Sequence, residues 1–373
     1  VIEKKLDFEL IRRFRHGSRQ KSVVIVKNFS SLRYIERNFK VVAYFPFINA
    51  LGIECDFRGA SALSQLPYVE YVTRQAKVST LDNLMDEFGT TGEKALSRVD
   101  LLSATNALSI ETSLTGKGST LCVLDTGVSP HLDLCLPKSR IKEFCDLDGG
   151  LEYAYDDNGH GTFVAGVAMG NGVVSGRKVK GVAPDAELVA VKVISHTGEC
   201  GAFKILEGMQ WVVNNAKRLN IKTVCMSFGA DPLDTSDPLK IGAETLVKNG
   251  ITVVCAAGNS GNGNLKSPGI SPQVITVGAV DSTLSEARFS SKGVYFGVKK
   301  PDIYARGVAV KGLATNASYI QMSGTSVSAP YIAGAVCLLH ERYKGLTPSD
   351  AKRIILASAE THNNLPVLDI GIT

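Results

Sequence analysis

Two periodicities divide the chain. From residue 22 to 78, short apolar runs alternate with polar positions and are separated by turn residues. "SVVIV" reads as a strand, "SLRYIERNF" as a short helix opened by serine, and "VVAYFPFINALGIECDF" as two strands around a turn. "ASALSQL" reads as a second helix and "VEYVTRQAKV" as a last alternating strand. The order βαββαβ predicts a small α+β unit of ferredoxin-like arrangement, two helices on one face of an antiparallel sheet. Residues 79 to 100 are polar and weakly periodic, a connector with one helical turn at most. From about residue 101 the pattern changes. "TLCVLD", "AELVAVKVI", "TVCMSF", "ITVVCAAG" and "VITVGAV" are continuous Val-rich runs, interleaved with helical stretches such as "GAFKILEGMQWVVNNAKRL" and "DPLKIGAETLVKNG". Buried strands alternating with amphipathic helices predict a parallel α/β sheet covered on both faces, over 101 to 373. Such sheets place their chemistry at the carboxyl ends of strands. Trp211, on an apolar helix face, is expected in the core.

Composition narrows the class. With 373 residues and 44% hydrophobic content the chain has enough material for one large domain and a small one. No run approaches the roughly 18 to 20 apolar residues of a membrane span, and "VIEKKLDFELIRRFRHGSRQ" has no signal-peptide core. No membrane association is expected. The net charge of +5 is uneven: residues 1 to 80 hold 14 Lys/Arg against 7 Asp/Glu, and the remainder is slightly acidic. Residues 1 to 21 form a basic extension, but no nucleic-acid recognition motif follows it, so no nucleic-acid partner is expected. The eight cysteines have no CxxC pair and no metal-finger spacing. Cys122, Cys225 and Cys255 fall within apolar strands, although Cys135 and Cys145 leave room for a pair in an oxidising compartment. These signals favour a reducing, cytoplasmic setting; secretion would require a signal peptide already removed.

Three stretches stand where chemistry is expected. Asp125 ends the strand "TLCVLDTG", His160 opens the helix of "NGHGTFVAG", and Ser326 opens the helix of "SGTSVSAP". A serine hydroxyl is a poor nucleophile until an imidazole takes its proton, and the imidazole needs a carboxylate to fix its tautomer. The start of a helix also favours developing negative charge. Each residue has a plainer reading when taken alone: a turn former, a helix-start histidine, a helix cap.

Together the blocks "VLDTGV", "NGHGTFVAG" and "SGTSVSAP", in this order, resemble the subtilisin-like serine proteases, or subtilases, over about residues 100 to 360. The resemblance implies a subtilisin-like peptidase domain and a triad of Asp125, His160 and Ser326, with Ser323 and Ser328 structural. It assigns Asn259, in "VVCAAGNSG", as the side-chain donor of an oxyanion hole. It implies substrate pairing along Ser227, Phe228 and Gly229 and along Gly198, Glu199 and Cys200, with Ala256, Ala257 and Gly258 lining the pocket before the scissile bond. That pocket is expected to be small and apolar. Phe163 and Arg306 depart from the family's usual histidine and proline. Cys200 stands for a common glycine, which narrows one subsite or confers sensitivity to thiol reagents. No cofactor is required for such chemistry; structural calcium remains open, since "GNGVVSGRKVKGVAP" lacks a ligand-rich pattern, and metal sites are unassigned. The wording "DDNGHGTFVAGVAMGNG" is most similar to the intracellular bacterial type.

By the same resemblance residues 22 to 78 are a propeptide, an intramolecular inhibitor, and the connector 79 to 100 holds the processing site. The expected function is a serine endopeptidase acting on proteins or peptides through an acyl-enzyme and made as a zymogen. The alternative is a regulatory or scaffold pseudoprotease that keeps its prosegment bound.

Overall fold

The computed structural model describes residues 5–14, 19–27, 29, 32–82, 114–233 and 236–368. The N-terminal unit comprises α1 (Phe8–Phe14), β1 (Gln20–Val26), α2 (Arg33–Asn38), β2 (Lys40–Phe45), β3 (Ala50–Cys55), α3 (Phe57–Gln65) and β4 (Val69–Arg74). Its strands form one antiparallel sheet in the order β2-β3-β1-β4. The centre of the sheet is buried on both faces, while edge strand β2 leaves Val42 and Tyr44 exposed, and the alternation along β1 shows why. Val24 and Val26 pack with Leu10, Ile35, Leu51 and Leu63, the core shared with the unit's own helices. Val23 and Ile25 point the other way, into a core shared with the rest of the chain.

Beyond β4 the apolar pattern breaks at residues 75 and 76, and β5 (Lys77–Thr80) leaves the sheet. The last strand expected from the sequence is therefore two strands with different partners. Residues 83–113, most of the expected connector, lie outside the described residues.

The larger unit follows as β6 (Thr120–Asp125), α4 (Leu132–Cys135), β7 (Ile141–Asp146), α5 (His160–Met169), β8 (Glu187–Lys192), β9 (Glu199–Gly201) and α6 (Ala202–Leu219). Then come β10 (Ile221–Met226), β11 (Phe228–Ala230), α7 (Pro238–Lys248), β12 (Thr252–Ala256), β13 (Ile275–Val280), β14 (Gly293–Tyr295), β15 (Val298–Lys300) and β16 (Ile303–Arg306). The chain closes with β17 (Val310–Leu313), β18 (Tyr319–Met322), α8 (Thr325–Arg342), α9 (Pro348–Ala357), β19 (Glu360–His362) and β20 (Leu365–Val367). Nine strands make one sheet, ordered β19-β20-β16-β13-β12-β10-β6-β8-β7. It is parallel except for the terminal β19–β20 hairpin. Helices α5, α8 and α9 cover one face and α6 and α7 the other, an α/β fold with both faces buried. Helix α8 is buried from Thr325 to Leu339, which explains its nearly all-apolar sequence.

The N-terminal sheet docks on α6 and α7. Phe203 of α6 meets Phe45 edge to face with ring centroids 5.5 Å apart, and a methyl group at Gly52 would fall 2.6 Å from its ring. The Phe47 amide donates to Gln210 at 3.0 Å. Because Phe203 fills the junction, Phe203→Ala is expected to destabilise docking by about 3 kcal/mol. Hydrogen exchange should then show faster opening of β1 to β3, with the amides of β6 and β10 unaffected.

Candidate active site

Helices α5 and α8 both begin at the carboxyl edge of the parallel sheet, beside the end of β6. Asp125, the last residue of β6, and His160, the first of α5, are both buried. His160 Nδ1 lies 2.6 Å from Asp125 Oδ1, which also accepts the Thr126 amide at 2.7 Å. Burial works to lower the imidazole pKa. The Asp125 carboxylate, by charge and hydrogen bond, outweighs it with help from Asp82 and Asp156, and raises the value to about 9.

A second carboxylate stiffens the loop that carries the histidine. Asp156 Oδ1 accepts the Thr126 hydroxyl at 2.9 Å and the Asn158 and Gly159 amides at 3.1 and 2.8 Å. Its Oδ2 accepts the Thr162 amide and hydroxyl at 2.9 and 2.7 Å. Lys192, the last residue of β8 and fully buried, donates to the Thr126 carbonyl and Asp157 Oδ1, both at 2.7 Å. These bonds hold the end of β6 and the start of α5 as one rigid block.

On the other side of the cleft, Asn259 follows β12. Its Oδ1 accepts the Thr325 amide and hydroxyl, each at 2.9 Å, and the same hydroxyl accepts the Gly258 amide at 3.0 Å. This clasp turns Asn259 Nδ2 toward one group, the carbonyl oxygen of Leu81. The Ser326 hydroxyl donates to that oxygen at 2.7 Å, while His160 Nε2 has no hydrogen-bond partner. Gly324 permits the approach: with φ +156° it brings backbone where a side chain would strike the Leu81 oxygen and come within 2.9 Å of Ser326 Oγ.

Leu81 arrives there because β5 is inserted as the middle strand between β9 and β11. Val78 and Ser79 pair with Cys200 and Glu199, and Val78, Ser79 and Thr80 pair with Ala230, Gly229 and Phe228. The Thr80 amide donates to the Gly198 carbonyl at 2.9 Å. Val78 is fully buried and the Leu81 side chain nearly so.

The structure thus brings Asp125 to His160, brings Ser326 and Asn259 to one carbonyl, and lays Gly198, Glu199, Cys200, Phe228 and Gly229 along a bound strand. Ser227 stands apart: it is buried just before β11, with its hydroxyl 3.5 Å from Cys225 Sγ. Ala256 packs in the sheet core, and Ala257 packs with Leu265 and Ile270. Burial pushes the Cys200 thiol up to about 12, so with β5 in place little thiolate is available to a reagent. Sequence reasoning missed Leu81, Ala230, Asp156 and Thr325. Thr325 lies inside the "SGTS" block, and the short polar run "DDNGHGT" was the available sign of a supporting carboxylate.

Among the described residues no group of three or more His, Cys, Asp and Glu side chains converges to hold a metal. The buried carboxylate facing the loop after α5, Asp133 of α4, does not fit a calcium ion: its Oδ1 accepts the Val174 amide at 2.8 Å and Oδ2 the Tyr319 hydroxyl at 2.7 Å. Among the described residues no helix is long and apolar enough to cross a membrane. All eight cysteines are free, so Cys135 and Cys145 are unpaired.

The subtilase family model matches residues 116–370. Serine protease AprX of Bacillus subtilis (strain 168) is 38% identical over 276 residues, covering 65% of this chain and 61% of AprX. The chain therefore spans less than two thirds of that relative's length. An alkaline protease of Alkalihalobacillus alcalophilus is 32% identical over 309 residues, 82% of this chain and 73% of its own. The crystal structure of a cold-adapted subtilisin-like serine proteinase superposes with a TM-score of 0.58 at 30% identity, covering 68% of this chain and 86% of that one. These relatives overturn the expected intracellular type and cytoplasmic setting, since the alkaline proteases among them are of the secreted type. The misleading signal was the cysteines. Five of the eight are buried, and a thiol packed as a small hydrophobe looks the same in either compartment.

For a carbonyl reacting where Leu81 sits, Asn259→Ala should lower turnover far more than affinity. The magnitude of about 10² to 10³ is the one measured for this donor in subtilisin itself, adopted for this chain. Thr325→Val, which removes one of the bonds orienting Asn259, should cost about tenfold in turnover with KM nearly unchanged. Steady-state kinetics on a peptide substrate check both.

Proposed function

This chain belongs to the subtilase family, and from that premise we propose that it is a serine endopeptidase made as a zymogen, with the Leu81–Asp82 peptide bond as its first substrate. The observation that carries the proposal is the Leu81 carbonyl, which accepts from the Ser326 hydroxyl and from the Asn259 amide at once.

The chemistry follows from that placement. Ser326 Oγ attacks the carbonyl carbon while its proton passes to His160 Nε2, the buried nitrogen left without a partner. Asp125, on the opposite ring nitrogen, stabilises the imidazolium and keeps Nε2 facing the serine. The electron pair displaced from the C=O bond resides on the oxygen held by Asn259. When the tetrahedral carbon collapses, the C–N bond breaks, and the imidazolium proton goes to the departing nitrogen of Asp82. Water, deprotonated by the same histidine, then releases the acyl group from Ser326.

The N-terminal unit acts as prosegment and inhibitor in this reading, and its strand order β2-β3-β1-β4 supports a ferredoxin-like arrangement. Other partners are protein or peptide substrates, which add a strand between β9 and β11 as β5 does. The Ser326 hydroxyl bonding to Leu81 in place of His160 also supports a second reading, a scaffold that keeps its tail bound.

Incubation of the purified chain separates the two. Self-cleavage should release a fragment beginning at Asp82, and a fluorophosphonate should label Ser326. Ser326→Ala should remain whole and unlabelled, and a wild-type chain that neither cuts nor labels would leave only the scaffold. The pH dependence has a definite sign. The imidazole accepts a proton only when neutral, so self-cleavage should rise with pH through an ionisation near 9. The charged His160–Asp125 pair stabilises the fold fully below about 6.5 and ceases to do so as pH rises through that ionisation. Asp82→Asn removes a carboxylate that raises this value, and should move the midpoint of self-cleavage downward. An unmoved midpoint would mean that the Asp82 charge is not felt at the histidine.

A further inference from the structure

The hydrogen bonds at the end of β5 include one that spans the peptide bond assigned above as the first substrate. Thr80, the last residue of the strand, is buried, and its amide donates to the Gly198 carbonyl at 2.9 Å. Its hydroxyl donates to Asp82 Oδ1, also at 2.9 Å. Thr80 lies on the acyl side of the Leu81–Asp82 bond and Asp82 on the amine side, so this contact joins the two halves that hydrolysis would separate. The hydroxyl is closely walled: a methyl group at Gly198, where φ is +75°, would fall 3.0 Å from Thr80 Oγ1. The carbonyl between the two residues is the one held by Ser326 and Asn259. Thr80 and Asp82 supply no group that attacks that carbonyl or stabilises its oxyanion, so acylation leaves their contact without a role.

We propose that Thr80 and Asp82 form a brake on self-cleavage: their hydrogen bond keeps the departing amine beside the acyl carbon, so that most of the acyl-enzyme re-forms the peptide bond before water can reach it. The inference rests on the peptidase reading above. When the C–N bond breaks, the imidazolium proton passes to the Asp82 nitrogen and leaves it a neutral primary amine. An amine held in place competes for the acyl group at an effective concentration set by its position and not by diffusion. In the return step this nitrogen attacks the acyl carbon and gives a proton to His160 Nε2. The bond from that carbon to Ser326 Oγ then breaks, and the serine oxygen takes the proton back. Hydrolysis needs a water molecule in the space that the amine occupies, and the space opens only when Asp82 swings away. That movement breaks the bond from Thr80, which has an ionised acceptor and is therefore stronger than one between neutral groups. Thr80 itself cannot follow, because its backbone is paired with Gly198 and Phe228. The tail of the prosegment is thus cut and resealed many times for each time it is released.

The test follows self-cleavage of the purified full chain. Thr80→Val, which keeps the size of the side chain and removes its hydroxyl, should self-cleave about tenfold faster, the effect of losing one hydrogen bond to a charged group. Thr80→Ser, which restores the hydroxyl, should cleave within threefold of wild type. Hydroxylamine, a small nucleophile that takes the acyl group from Ser326 in competition with the amine, separates resealing from slow acylation. It should speed release from wild type at least threefold and leave Leu81 as a hydroxamate, and should change the Thr80→Val rate by less than twofold. In a Ser326→Ala chain, Thr80→Val should leave amide exchange along β5 unchanged; faster exchange there would mean that the substitution merely unseats the strand, and would overturn the brake. A Thr80→Val rate within twofold of wild type, a wild-type rate that hydroxylamine does not change, or a first cut at another bond would each overturn it while the peptidase reading stands. If the wild-type chain neither cleaves nor labels at Ser326, both fall together.

Discussion

The insertion of β5 between β9 and β11 is the constraint on which the cleft depends. A strand paired on both edges has no freedom to slide, since a slip of one residue would exchange its buried and exposed side chains and place Val78 in water. With the register fixed, the next carbonyl along the chain is that of Leu81, and it falls between Ser326 and Asn259. Gly324 is then obligatory as a close-approach position, since a side chain there would strike the Leu81 oxygen. The position of the Leu81 carbonyl is thus set by main-chain pairing along β5, and the side chains at the site need only meet it.

The buried Asp125–His160 pair imposes a second requirement. Ions removed from water are costly unless their remaining hydrogen-bonding capacity is met. Here one backbone amide, that of Thr126, reaches Asp125 Oδ1, while Asp125 Oδ2 and His160 Nε2 have no partner; two threonine hydroxyls, the Asp156 carboxylate and Lys192 brace the backbone that carries the pair. Short polar groups fit where the end of a strand and the start of a helix converge, and they are already ordered before any substrate binds. That preorganisation keeps the cost of orienting the imidazole out of the reaction step.

The parallel sheet, its covering helices and the two-unit organisation were legible in the sequence, because both periodicities are sustained over long segments. The blocks around Asp125, His160, Asn259 and Ser326 were legible as well, each lying at an element boundary that hydrophobic patterning marks clearly. Leu81 was not. It sits in a stretch whose order comes from the edges of another unit, so it carries no periodicity of its own. Thr325 was overshadowed by its neighbour, since a threonine before a reactive serine shows no sign that it clasps a distant asparagine.

The covalent continuity between β5 and the unit it occupies has a consequence for concentration. While the chain is whole, the local concentration of the tail at the cleft is a property of the molecule, independent of how much protein is present. Hydrolysis of a single bond leaves the contacts of β5 and of the Phe45–Phe203 junction in place, yet turns occupancy of the cleft into a bimolecular equilibrium. On the proposed function, dilution is then the switch: the cut protein keeps its cleft filled at high concentration and vacates it as the concentration falls.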